Sequence, residues 1–205
     1  MQTNNNLHIN HVVSFTPERV SVDGAIVFEK EAGDNFVSLA KRVFLSLENS
    51  YAKYHKMDRI SKLAFLSGEL LFQKINLKDV NLRNIAVILS NSSATIETDT
   101  KFQKSISEIP SPAIFVYTLP NIMIGELCIR FGINGENLFF VEPKLNTNLL
   151  TEQARLLFDN SNTEICILGW VDYYTTENYV CYMASISREQ IGSKLTQNNL
   201  NSYFK

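Results

Sequence analysis

Apolar and polar positions alternate along the chain in two periods, which divide it into strands and helices. Continuous apolar runs at residues 84–90 and 165–171 are typical of strands covered on both faces of a sheet. Residues 8–16 predict a first strand. The alternating residues 179–187 predict a hairpin partner for the 165–171 run, with the turn at residues 175–178.

Helical spacing separates these strands. Residues 58–73 predict the clearest helix, residues 99–106 a weaker one, and residues 121–131 a third. Asp34 is expected to cap a further helix. The apolar face of that helix would carry Val37, Ala40, Val43, Phe44 and Leu47. Strands that alternate with helices predict an α/β fold, in which a layered sheet has helices on both faces.

Two segments are expected to lack helices. Pro110, Pro112 and Pro120 bracket a stretch predicted to be extended, because proline and the residue before it resist helical geometry. Residues 196–205 are rich in asparagine and are expected to be frayed. We expect one domain over residues 1–205, with a frayed tail from about residue 189.

The centre of the chain combines a strand and a helix around a sharp turn. Residues 138–141 form a short apolar run, and residues 149–158 have an amphipathic helical pattern. Several enzyme folds display a nucleophile at such a turn, because the helix start stabilises an anion. Here the turn contains Glu142, Pro143, Lys144 and Leu145, so it offers neither cysteine nor serine.

Composition narrows the function classes. The chain has 205 residues, 45% of them hydrophobic and 20% charged, which is typical of a globular protein with a sizeable core. The net charge of −2 argues against nucleic-acid binding, and no apolar run is long enough to predict a membrane span. The first residues show no secretion signal, so we expect a cytoplasmic protein.

The cysteines predict neither disulfides nor a metal site. Cys128, Cys166 and Cys181 are scattered in apolar contexts, which favours reduced, buried thiols. The three histidines are not close to a cysteine in sequence, so no zinc site and no cofactor are expected. A cysteine–histidine pair formed by folding stays open as an alternative.

Three segments together resemble the N-terminal half of a β-ketoacyl synthase of the thiolase-like superfamily, over about residues 58–187. Residues 56–59 (Lys-Met-Asp-Arg) followed by Leu63-Ala64 are similar to the opening of an early synthase helix. Residues 110–135 resemble the family's Ser-Pro, Asn, Ala-Gly and Gly-x-x-Gly series. Residues 166–172 (Cys-Ile-Leu-Gly-Trp-Val-Asp) lie where the family has a strand that ends in a Gly-Gly pair.

Two departures change what the resemblance implies. The family's catalytic cysteine would fall at Lys144, and a cation beside the positive end of a helix does not activate a nucleophile. The family's catalytic histidines belong to a C-terminal half with no counterpart in this sequence. The chain therefore resembles a chain-length factor, the inactive partner subunit of type II fatty-acid and polyketide systems. More narrowly, it is similar to the short factors associated with bacterial aryl-polyene and flexirubin-type pigment pathways.

The resemblance implies an active β-ketoacyl synthase as heterodimer partner, with acyl carrier protein delivering the substrate. Residues 138–142 are expected to pair with the partner's sheet. This interface would comprise Leu138, Phe139, Phe140, Val141 and Glu142. By the same resemblance, a second set of side chains would end the partner's acyl tunnel. These are Ile114, Phe115, Tyr117 and Ile122.

Each of these expected roles has a simpler structural alternative. Lys144 either blocks the position of the nucleophile, paired with Glu142 or a partner carboxylate, or is a solvated turn lysine. Each tunnel side chain taken alone is more readily explained as ordinary core. A diverged acyltransferase or hydrolase with its own nucleophile, and a homodimeric acyl-binding scaffold, are the alternative functions.

Overall fold

A mixed sheet with helices on both faces forms the centre of the molecule. The computed structural model describes residues 6–47, 51–78, 80–107 and 109–205. Within these ranges the strands run in the order β3-β2-β1-β7-β6-β4-β5, and β8 pairs with β1. Their bounds are β1 His8–Phe15, β2 Arg19–Val22, β3 Ala25–Glu29, β4 Ile85–Asn91, β5 Asn137–Val141, β6 Ile165–Thr175, β7 Asn178–Ser187 and β8 Ser193–Lys194.

The helices lie in two layers. Their bounds are α1 Phe36–Ser46, α2 Arg59–Phe72, α3 Ile96–Ile106, α4 Pro112–Phe115, α5 Ile122–Phe131, α6 Thr147–Asn160 and α7 Gln197–Tyr203. The larger core packs α1, α2 and α5 against one face of the sheet. The smaller core packs α6 and α7 against the other face. The α/β fold predicted from the sequence is confirmed.

The centre of the sheet is buried as the apolar runs predicted. Every residue of β4 is buried, because β5 and β6 flank it in parallel and helices cover both faces. The β6–β7 hairpin is antiparallel, and β7 also pairs with β1, so that His8 lies opposite Ser187. α2 packs beneath these strands, with Asp58 as its N-cap.

Gly132 and Gly135 shape the connection into β5. Gly132 ends α5 with a φ of 69°, a left-handed conformation that glycine adopts without steric cost. Gly135 passes so close to the start of β4 that a Cβ would lie 2.2 Å from the Ile85 carbonyl oxygen. Glycine at this position therefore allows β5 to run beside β4.

The N-cap of α1 was predicted wrongly. The cap is Asn35, whose side chain accepts from the backbone N–H groups of Val37 and Ser38. Asp34 instead accepts from the Glu31 N–H and forms an ion pair with Arg42. Val37 is 52% exposed, so the buried face of α1 is rotated from the expected one.

The prediction of an extended segment over residues 110–120 was also wrong. Ser111 caps α4 and Pro112 occupies its first turn, where a missing N–H costs nothing. A 3₁₀ turn over Val116–Thr118 continues this segment. α3 likewise begins at Ile96, earlier than the expected residue 99.

The tail is ordered rather than frayed. Thr196 caps α7, and Leu195, Leu200 and Phe204 are buried in the smaller core. The ring of Phe204 stacks on Tyr182 at a centroid distance of 5.4 Å. Asparagine-rich composition misled the prediction because only these few apolar side chains anchor the segment.

No single helix in the described ranges has the length and hydropathy of a membrane span. Pro112–Thr118 and Ile122–Phe131 pass the same test only as a pair, which is bent by 98°.

Truncation of Leu200 tests whether the tail belongs to the folded core. Its side chain is fully buried, so Leu200→Ala is expected to lower the free energy of unfolding by roughly 2–5 kcal/mol. Urea unfolding followed by circular dichroism measures this difference. Tyr203→Ala on the same helix is the matched control, because Tyr203 is 39% exposed and its loss is expected to cost about 0.5 kcal/mol. Equal stability of L200A and the unmodified protein would contradict the assignment.

Candidate functional site

The turn between β5 and α6 is rigid. The Glu142 N–H donates to the Asn91 carbonyl at 2.8 Å, which fixes the end of β5 to β4. Asn146 caps α6 by accepting from the Leu149 N–H at 3.1 Å. The Asn146 amide also donates to the Glu142 carboxylate at 3.0 Å, so both ends of the turn are held together. The turn therefore displays Pro143 and Lys144 in a fixed position.

Lys144 lies exposed beside a shallow crevice. Gln197 and Asn201 of α7 form the opposite wall of this crevice. The Thr147 hydroxyl donates to Asn201 Oδ1 at 2.7 Å, which attaches the tail to the start of α6. Within the described ranges, no ion pair joins Lys144 to Glu142. The side chains at the turn are thus an ammonium and an amide beside the Glu142 carboxylate, and residues 142–146 supply no thiol or hydroxyl nucleophile.

The cysteines are held as neutral thiols away from the turn. Burial raises the pKa of the Cys181 thiol to about 12 and also raises the pKa of Cys166, which is fully buried in β6. Cys128 is half-buried on α5, and its pKa is raised for the same reason. A thiol with a raised pKa is a poor nucleophile.

Among the described residues, no hydrogen bond joins a histidine to one of these cysteines. His11 Nδ1 lies 2.9 Å from Asp23 Oδ2 on the far side of the sheet, where β1 meets the β2 hairpin. His8 is buried in β1, and His55 is exposed before α2. No cluster of metal-binding side chains forms in the described ranges. The alternative of a cysteine–histidine site receives no support from these contacts.

Asp172 organises the loop beside the turn and is not among the site residues predicted from the sequence. Asp172 is 4% exposed and lies within the C-terminal part of β6. The Ser93 N–H donates to its carboxylate at 3.2 Å and the Ser92 N–H at 3.3 Å, and both serine hydroxyls donate as well. These bonds fix the loop after β4, which leads from Asn91. The sequence did contain an indication of this arrangement. An acidic residue follows one predicted buried strand, and a Ser-Ser pair follows the neighbouring predicted strand.

β5 forms one edge of the sheet. It pairs with β4 in parallel over five residue pairs, and two flanking hydrogen bonds show which amides face β4: Glu142 N–H to the Asn91 carbonyl, and Val87 N–H to the Glu136 carbonyl at 2.9 Å. Inward and outward amides alternate along a parallel strand, so every second residue directs its N–H and C=O away from the sheet. No strand of the described residues covers this side. The outward groups belong to Asn137, Phe139 and Val141.

The side chains of β5 are only partly covered. Leu138 and Phe140 pack against the smaller core, and Phe139 packs against the larger one. Val141 is 54% exposed, and Glu142 is half-buried. The predicted interface residues are therefore brought together along one open strand.

A second apolar area lies on α3, α4 and the segments that join and follow them. We call it the α3–α4 surface. Ile109 is 85% exposed, and Phe115 and Leu119 are 57% and 53% exposed. The other large exposed apolar side chains on these elements are Ile96, Ile106 and Val116. Such a concentration of exposed apolar side chains is typical of an interaction site.

The structure separates the four tunnel residues into two groups. Phe115 belongs to the α3–α4 surface, and Ile114 is half-buried beside it. Tyr117 points into the protein, where its hydroxyl donates to the buried Glu126 carboxylate at 2.9 Å. Burial, with Glu126 beside it, raises the pKa of Tyr117. Ile122 packs against the larger core.

No protein-family model matches the chain, and no curated protein sequence matches it. Solved structures match in fold. The ishigamide ketosynthase/chain length factor matches with a TM-score of 0.65 and 13% identity, over 89% of this chain and 62% of the other. The ketosynthase ApeO in complex with its chain length factor ApeC, from Xenorhabdus doucetiae, matches with a TM-score of 0.61 and 12% identity, over 93% and 81%.

A third match is AntDE:AntF, a type II PKS acyl-carrier protein in complex with its ketosynthase bound to the hexaketide. Its TM-score is 0.58 at 12% identity, over 90% of this chain and 62% of the other. The chain thus spans about three fifths of the length of two of these proteins. Its backbone has the layered α/β fold that ketosynthases and chain length factors share.

Proposed function

We propose that this chain is a non-catalytic, chain-length-factor-like subunit that completes a heterodimer with an active β-ketoacyl synthase. The observation that carries the proposal is the open edge of β5, where an apolar strand leaves a row of backbone N–H and C=O groups without a strand partner among the described residues. An edge of this kind is a template for a strand of another chain. Main-chain hydrogen bonds would supply the affinity.

The turn after β5 supports a non-catalytic role. In this arrangement Lys144 replaces the nucleophile, and the tail covers one side of the turn through Asn201. The synthase would provide the cysteine and histidines, and acyl carrier protein would deliver the acyl chain to that subunit. The complexes named among the similar structures contain these two kinds of partner, a ketosynthase with its chain length factor and an acyl-carrier protein with its ketosynthase.

The α3–α4 surface suggests how the subunit acts on the reaction. Phe115 and Ile114 present apolar bulk outward, and we place them at the end of the partner's acyl tunnel, where they limit product length. Tyr117 and Ile122 would hold this segment in position from the protein interior and would not contact the acyl chain.

A short factor of an aryl-polyene type of system, acting in the cytoplasm, is the narrower form of the proposal. The match to the ketosynthase ApeO in complex with its chain length factor ApeC, over 93% of this chain, supports this narrower form.

Val141→Pro tests the strand interface. The Val141 N–H points away from β4, and proline is tolerated on an edge strand where the N–H faces outward. The variant is expected to fold but to bind the synthase about tenfold more weakly or worse, through the lost hydrogen bond and the ring. Co-expression with a ketosynthase from the same operon, followed by affinity capture and size-exclusion chromatography, measures the complex.

Val141→Ala is the matched control, because it shortens the side chain and keeps the N–H. It is expected to retain most of the binding. A folded V141P protein that captures the synthase as well as V141A does would refute the strand interface.

Phe115→Ala tests the tunnel role. Removal of the ring should deepen the acyl pocket of the complex, so longer products are expected by mass spectrometry of the carrier-bound polyketides. Leu119→Ala on the same surface is the control for general loss of apolar area. An unchanged product distribution from an intact complex would contradict the gating role.

Incubation with acyl carrier protein thioesters tests the lack of chemistry. The buried thiols of Cys166 and Cys181 and the half-buried thiol of Cys128, each with a raised pKa, predict no acyl adduct on this chain, while the partner synthase in the same complex acquires one. Intact-protein mass spectrometry distinguishes the two chains by mass. A stoichiometric adduct on this chain would favour the acyltransferase or hydrolase alternative.

A further inference from the structure

A groove runs between α1 and the segment that leads into α2. Phe36, Ala40 and Tyr54 form its floor and are each less than 7% exposed. Its volume is about 540 Å³, within the range of small-molecule sites in proteins. Phe44 stacks on Tyr54 at a centroid distance of 4.0 Å, which gives the floor a flat aromatic part.

Exposed apolar side chains form the wall of this groove. Val37 is 52% exposed and Leu45 is 67% exposed, and both project from α1. The apolar residues of α1 lie on its inner face and also at these two wall positions. The apolar surface of the helix is therefore larger than the part that packs against the core. A ligand with an apolar chain would cover both.

Basic side chains line the rim, although the protein has a net charge of −2. Lys41, His55, Arg59 and Lys62 line the groove together, and no carboxylate does so among the described residues. Arg59 binds Glu97 at 3.1 Å on one side, while the Lys62 ammonium lies 5.5 Å from the centre of the Tyr54 ring. Partial burial lowers the pKa of Lys62, which indicates an ammonium short of water contacts.

We propose that this groove binds a single-chain anionic amphiphile of the fatty-acid class. The apolar chain lies over the Phe44–Tyr54 stack between Val37 and Leu45, and the carboxylate meets Lys41 and Lys62. The charge of the rim selects an anion. The volume of about 540 Å³ suits a ligand of the size of a free fatty acid. This site is separate from the β5 edge and does not depend on the proposed heterodimer.

Titration of the chain with the fluorescent fatty acid cis-parinarate tests the groove. Saturable binding of one equivalent is expected, with displacement by laurate but not by dodecyltrimethylammonium, which has the same chain and the opposite charge. Lys41→Glu/Lys62→Glu is expected to weaken binding by about tenfold or more, because it places repulsive charge at the head group. Leu45→Ser, at an exposed position, is expected to weaken binding without a change of charge.

Lys104→Glu/Lys194→Glu is the matched control, since it reverses two exposed charges outside the groove and should leave binding unchanged. Thermal unfolding of each variant verifies that it is folded. Sedimentation with phosphatidylglycerol vesicles separates a membrane head group from a free fatty acid as the source of the anion. Binding to vesicles alone, displacement by the cationic amphiphile, or equal affinity in K41E/K62E would each overturn the proposal.

Discussion

The parallel pairing of β4 with β5 is the constraint on which the rest of this structure depends. It satisfies the backbone of β5 on one side only, and the sheet ends there. An unpaired edge of apolar residues is unfavourable in water, which is why natural sheets shorten, charge or cover such strands. β5 has no charged residue between Asn137 and Val141, so the strand itself lacks these protective features. Its sequence is suited to a neighbouring strand.

The groups around this edge form one rigid unit. Asp172 fixes the loop after β4, Asn91 at the start of that loop accepts from Glu142, and Asn146 ties Glu142 to the helix that follows. The Asp172 carboxylate accepts hydrogen bonds from backbone N–H groups, and the Glu142 carboxylate accepts one from an amide. The arrangement fixes the geometry of the turn and leaves Lys144 as its most exposed charged group. In the proposed heterodimer, the turn would present this fixed shape to the partner subunit.

Sequence periodicity was sufficient for the buried centre of the fold and insufficient for its periphery. β4, β6 and α2 were predicted because their apolar runs have no alternative to burial. The other elements depend on side-chain interactions that the apolar pattern does not show. Asn35 replaced Asp34 as a cap because Arg42 binds the Asp34 carboxylate, an interaction between residues eight positions apart that no local pattern reveals. The segment after Ser111 became helical because Pro112 stands in a first turn, the one helical position proline tolerates.

The candidate site was likewise predictable from the sequence only in part. The absence of a nucleophile at the turn was visible in the sequence, and so was the apolar character of β5. Its position at the edge follows from the strand order, which a linear pattern does not specify. The groove on α1 was not predicted at all, because its basic residues come from two elements that only the fold brings together.

The strand order also has a consequence for synthesis of the chain. β1 finds its main neighbour in β7, so its pairing joins residues near both ends of the sequence, such as His8 and Ser187. A ribosome must therefore release most of the polypeptide before the first strand gains this neighbour, and such distant pairing makes folding slow. Until then the β1–β3 meander has only its own hydrogen bonds, and a nascent chain would need protection from aggregation during that interval.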